Sequence, residues 1–138
     1  MGDSNMNTIL LGLLGFIFAF LLHELTHLLV ITYYKIPFKA IVITKWSAIG
    51  FLVDNEAYLN SNKKLTLLHF SPLIWCLLIL LNTHDVFFLM FPLVNIFGGV
   101  GDMYYYIKLF PLTDSERITL AKKIDEKILK SIIWKKDF

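Results

Sequence analysis

The chain has 138 residues, of which 57% are hydrophobic and 17% charged, with a net charge of +2 and a mean hydropathy of +0.64. A soluble domain holds about 45–50% apolar and about 25% charged residues, so a disordered chain, a nucleic-acid binder and an ordinary soluble enzyme all fit poorly. Three apolar stretches, Ile9–Tyr34, Leu65–Leu81 and Val86–Ile107, hold nearly half the residues, yet of 13 basic and 11 acidic residues only Glu24 and Asp102 fall inside them. This pattern predicts a small, mainly α-helical membrane protein with three transmembrane helices.

Met1–Asn5 has no Lys or Arg and no small-residue cleavage site follows, so the first stretch (about 9–34) reads as a span rather than a signal peptide. As a helix it rises about 39 Å at about 1.5 Å per residue, enough to cross a hydrocarbon core of about 30 Å. Phe38–Thr44 and Ala48–Val53 are rich in Ile, Val, Phe and Thr around Lys45-Trp46-Ser47. They predict a β-hairpin at about 38–53, with an irregular loop dipping into the interface as the alternative. The second span, about 65–81, is at the short limit, and Pro72 predicts a kink in it. Cys76 has no partner for an internal disulfide and reads as a small buried hydrophobe. The third span, about 86–110, contains Gly98, Gly99 and Gly101, which permit close helix packing or local unwinding.

These elements make up a membrane core over residues 1–112, and a second region, 113–138, differs in character. Thr113 and Glu116 have capping-box spacing. Ile118, Ala121, Ile124, Ile128 and Ile132 recur at helical intervals, with Lys122, Lys123, Lys127 and Lys130 on the other faces. The expectation is a basic amphipathic C-terminal helix on an anionic membrane surface; a solvated or oligomer-contacting helix is the alternative. The connection between spans one and two carries five lysines, Asn82–Asp85 carries none, and eight basic residues lie from Lys108 onward. The positive-inside rule then places the N-terminus outside, and the hairpin and C-terminus on the cytoplasmic side of the cell membrane.

Within the first span stands His23-Glu24-Leu25-Thr26-His27. On a helix, residues four apart share a face, so both imidazoles can bind one metal ion, with Glu24 beside them as base toward an activated water. Chance gives this pattern on the order of 0.3% of the time at this composition. A hydrolytic zinc commonly takes three protein ligands, and two His with a carboxylate is a standard set. Asp102 is the other acid in the apolar stretches. Measured from the outer ends of their helices, His23 and His27 lie about 21 and 27 Å deep and Asp102 about 24 Å deep. All three reach one level; a capping or interfacial acid is the alternative for Asp102. His69, about 18 Å deep, reads as a hydrogen-bonding neighbour of the ligands, an alternative ligand or a packed histidine. Asn95 lies seven residues before Asp102 on the same face, placed to stabilise a developing oxyanion or to pack helices together. Gly50 allows close approach of a substrate strand to the hairpin, or is a turn-adjacent glycine.

These residues carry a resemblance. HExxH inside a transmembrane helix, followed by a hairpin and a later transmembrane Asp, resembles the site-2 protease group of intramembrane zinc metalloproteases. Asn95-Ile96-Phe97-Gly98-Gly99-Val100-Gly101-Asp102 looks closest to a subgroup of small zincin peptidases, formerly of unknown function, with an Asn-to-Gly-Asp pattern in a late span. The likeness covers Ile9 to Asp102. The larger group's Leu-Asp-Gly signature is absent, since Gly101 precedes Asp102 and Met103 follows it. The resemblance implies Zn2+ on His23, His27 and Asp102, Glu24 as catalytic base, and a membrane protein or peptide as substrate. A catalytically silent zinc-binding scaffold and a metal or proton carrier are the other functional classes the same cluster allows.

Overall fold

The computed structural model of the chain describes residues 2–45 and 49–136. Helix α1 spans Gly2–Tyr33 and is closed by Lys35, which adopts a left-handed φ of 54°. Ile36 N–H then donates back to Ile31 O at 2.9 Å and Lys35 N–H to Thr32 O at 3.1 Å. This is a Schellman closure, and Pro37 keeps the helix from resuming. The chain enters β1 (Phe38–Thr44), which pairs antiparallel with β2 (Gly50–Val53). The expected hairpin is present; residues 46–48 of its connection lie outside the described residues.

Helix α2 (Asn62–Phe70) starts at Ser61, whose hydroxyl accepts from Lys64 N–H. From Ser71 to Leu81 the span continues as a 3-10 helix. Proline has no N–H for the carbonyl four residues back, so at Pro72 the helix changes type and the Leu68 carbonyl is released from the helical ladder. Helix α3 (Val86–Gly98) is capped by the Asp85 carboxylate, and α4 (Val100–Leu109) follows after Gly99. Asn5–Tyr33, Asn62–Leu81 and Val86–Leu109 are long and apolar enough to cross a membrane. Large apolar side chains stand outward on them, including Leu13, Phe16, Leu29, Leu80 and Phe97, an arrangement suited to a hydrocarbon surround.

The inward side of α1 is one stripe, Gly15, Ala19, His23, His27 and Ile31, each buried and four residues from the next. Toward the N-terminal end of the stripe the helices touch through backbone: a Cβ on Gly15 would meet Phe87 O at 2.5 Å, so glycine lets α1 and α3 close there. Toward its C-terminal end Ile31 joins an apolar cluster with Leu59, Leu65, Leu109 and Ala121.

The C-terminal region departs from the expectation. Helix α5 covers Asp114–Ile128 and ends there; Leu129–Lys135 is strand β3, paired antiparallel to β1 in a sheet of order β2-β1-β3. Ile132, read as the last helical contact, lies opposite Val42. Consecutive Ile132-Ile133-Trp134 favour extended backbone, and β1 offers a free edge beside β2. Nor is the apolar face of α5 free to lie on a membrane: Ala121, Ile118 and Ile124 pack on the core cluster. Arg117, 4% exposed, donates to the carbonyls of Leu59, Leu109 and Phe110 and to the Asn62 side chain, pinning the helix to the body. The Thr113 hydroxyl bonds the Glu116 carboxylate directly at 2.6 Å. Cys76 is half-buried rather than enclosed.

Candidate metal centre

Each histidine on the α1 stripe is fixed through its Nδ1. His27 Nδ1 lies 2.7 Å from Leu68 O, the carbonyl released by Pro72. A carbonyl only accepts, so Nδ1 carries the proton. His23 Nδ1 lies 2.9 Å from Asn95 Oδ1, and the Asn95 amide nitrogen donates to Phe91 O at 2.7 Å. That bond orients the amide with its oxygen toward His23, whose Nδ1 is therefore also the donor. Between the two, Thr26 donates to Leu22 O and accepts from Trp75 Nε1 at 2.7 Å, tying α1 to the 3-10 segment.

With both Nδ1 atoms donating backward, each imidazole turns its Nε2 into the same space. The two Nε2 atoms are 3.2 Å apart. Asp102, in the first turn of α4, places Oδ2 3.1 Å from His27 Nε2 and 3.6 Å from His23 Nε2. With both rings neutral, three electron-pair donors face one another, an arrangement that a cation among them satisfies. A tetrahedral zinc with bonds of about 2.05 Å has ligand-to-ligand edges of about 3.3 Å, and the observed triangle matches that size. His23, His27 and Asp102 thus form a group that could hold a metal ion, and its two nitrogens and one oxygen suit zinc better than the all-oxygen-seeking calcium or magnesium.

The centre opens on a cavity of about 150 Å³ that Glu24 also lines, together with the whole of β2 and with Asp125 and Ile128 of α5. That volume admits several waters at about 30 Å³ each. Gly50 belongs to this wall, but the need for glycine arises inside the hairpin: a Cβ there would meet the Thr44 methyl at 2.8 Å. Asn95 is fully buried and is not among the cavity-lining residues. Of the two roles open to Asn95, the bonds present are those that join helices: its amide is engaged by His23 of α1 and the Phe91 carbonyl of α3, and it positions the histidine.

His69 comes next to the centre without joining it. Its Nδ1 is 3.6 Å from Asp102 Oδ1, on the carboxylate oxygen away from the histidines, and its side chain is 10% exposed. Neither ring nitrogen has a hydrogen-bond partner, and the ring lies against Tyr105 at 5.0 Å. Three further cavity residues went unnoticed in the sequence: Tyr58, Tyr105 and Asp125. Asp125 accepts from the Asn55 amide at 3.2 Å and the Tyr105 hydroxyl at 3.4 Å. Burial pushes its carboxyl above the usual carboxylate range despite those two bonds, and burial likewise pushes the Tyr58 phenol up. Nothing in a lysine-rich tail marks one aspartate as inward-facing, whereas the Leu68 carbonyl did leave a signal, the proline four residues after it.

Compared with known proteins, the chain matches no family model, no curated protein and no solved structure.

Proposed function

We propose that this protein is a zinc-dependent intramembrane endopeptidase of the site-2 protease type, hydrolysing peptide bonds in membrane-embedded or membrane-associated substrates. The support is the convergence of two histidine Nε2 atoms and a carboxylate oxygen, held from behind by Leu68 O and Asn95, beside a glutamate at a cavity that admits several waters. Zinc, when bound, supplies Lewis acidity that lowers the pKa of water and polarises a carbonyl. Glu24 takes the water proton and delivers it to the leaving amine. His23, His27 and Asp102 fix the geometry, and the apolar helices around them keep bulk water out. The substrate must be extended at the scissile bond, because a helix hides its carbonyls. β2 is an edge strand whose residues all line the cavity, and it offers main-chain pairing to such a segment. The sheet and α5 sit on the cytoplasmic side by the lysine distribution, so water enters from there.

The test is metal content and cleavage measured together on purified protein in liposomes with a panel of fluorogenic transmembrane peptides. The wild type should hold one zinc per chain and cleave a subset of the panel. Glu24→Gln should keep the zinc and lose about 10²- to 10⁴-fold in rate. Cleavage undiminished in that variant removes Glu24 from the chemistry, and a wild type without zinc removes the whole reading.

A further inference from the structure

The cavity has a second polar end that the hydrolytic reading leaves unused. Asp125 lies on the inward face of α5, one turn after buried Ala121, while Lys122, Lys123 and Lys127 point outward. Among the described residues no lysine or arginine comes within ion-pair distance of it, and Arg117 on the same helix is committed to Leu59, Leu109 and Phe110 carbonyls. Asp125 is half-buried, and a carboxylate that gives up part of its hydration with no cation beside it is left under-compensated. Two neutral groups attend it, the Asn55 amide and the Tyr105 hydroxyl. Between Asp125 and the candidate metal ligands stand the Tyr58 and Tyr105 rings and His69, whose two nitrogens are buried at the cavity without a hydrogen-bond partner, Nδ1 standing 3.6 Å from Asp102 Oδ1.

The charge balance has a direction. A divalent ion at the centre offsets Asp102 and Glu24 and leaves Asp125 over. Aromatic faces beside a carboxylate favour a guanidinium or ammonium group, and Phe51 and Ile128 in the same cavity can cover its methylene stem. We propose that Asp125, with Asn55, Tyr58 and Tyr105, receives a lysine or arginine side chain of the peptide that lies across the metal centre, so that the protein selects substrates with a basic residue near the cleaved bond. The unpartnered His69 nitrogens meet the polar backbone of the peptide between the two ends. This specificity rests on the endopeptidase reading, but binding tests it independently of turnover.

Binding is measured in Glu24→Gln protein, loaded with zinc, so that nothing is consumed. The probes are two matched sets of Leu-Ala transmembrane peptides in detergent, with one arginine or one isosteric, neutral citrulline walked through the segment. At one position arginine should bind at least about tenfold tighter than citrulline, the size of a charge-assisted hydrogen bond. Adding Asp125→Asn should bring the two peptides to within about twofold of each other while zinc content stays at one per chain. Asn55→Ala, which loosens the carboxylate without removing it, should lower the preference part of the way. Equal binding of the two sets overturns the proposal, as does a preference that survives Asp125→Asn. The wild type incubated with the same pairs separates the two ideas. Discrimination without cleavage leaves the basic-residue pocket standing and sinks the protease; cleavage of both sets at one rate, with no discrimination, does the reverse.

Discussion

The two histidines of the centre are held from different sides of α1 by different kinds of group. On the α3 side, His23 leans on a side-chain amide, Asn95, that is itself braced by the Phe91 carbonyl. On the α2 side, His27 leans on a main-chain carbonyl, Leu68 O, available because residue 72 is proline. The result is the same, an Nε2 lone pair aimed at Asp102, but the vulnerabilities differ. A side-chain brace can be deleted by one substitution. A backbone brace cannot be deleted, though it can be given a competitor. The contrast shows how imidazole N–H groups buried between packed helices recruit whichever oxygen the neighbouring segments leave unspent.

Substitutions can break that contrast in order of severity. Asp102→Ala removes the oxygen both histidines face, and zinc content of the purified protein should fall to near zero, a loss of at least about a hundredfold in affinity; undiminished zinc would point to His69 as the third ligand. Asn95→Ala leaves a buried His23 Nδ1 without a partner and should weaken zinc by about tenfold to a hundredfold in a competition titration with a chelator. Pro72→Ala introduces an N–H that competes with His27 for Leu68 O, and the same titration should show a smaller loss, at most about tenfold. If Pro72→Ala proves worse than Asn95→Ala, the backbone brace is the stronger of the two.

The smallest effect is on stability. The folded-state pKa of Asp125 is raised by burial, so folding favours its protonated form. Its contribution is therefore fully present below the ordinary carboxylate pKa of about 4 and is lost as pH rises through the higher folded value. Asp125→Asn should flatten that part of the pH dependence of the melting temperature in detergent; an unchanged profile would mean that Asp125 is solvated in the folded protein.

Much of the centre was legible because the chemistry is local. Two histidines four apart share a helix face whatever surrounds them, and Asp102 stood out as an acid in an apolar stretch. The depth estimate from helical rise put His23, His27 and Asp102 at one level, and in the structure Asp102 Oδ2 is within 3.6 Å of both Nε2 atoms. Asn95 was noticed with two tasks open, and spacing could not choose between them, since it tells which face a side chain is on and not whether that face meets a cavity. The C-terminal region misled because its isoleucines fit a helical period through Ile132, and period alone does not register an open sheet edge waiting for a strand.

By itself the sequence determined three apolar helices, a hairpin between the first two, and an HExxH pair with one matching acid, because hydropathy, β-propensity and helical spacing act over short range. Only the tertiary structure decided that residues 129–135 would complete the sheet, that Arg117 would lock α5 onto the core, and that Asp125 would turn inward to the cavity. Those outcomes depend on which carbonyls, strand edges and apolar surfaces the rest of the chain leaves unpaired, and that is settled only when distant segments meet.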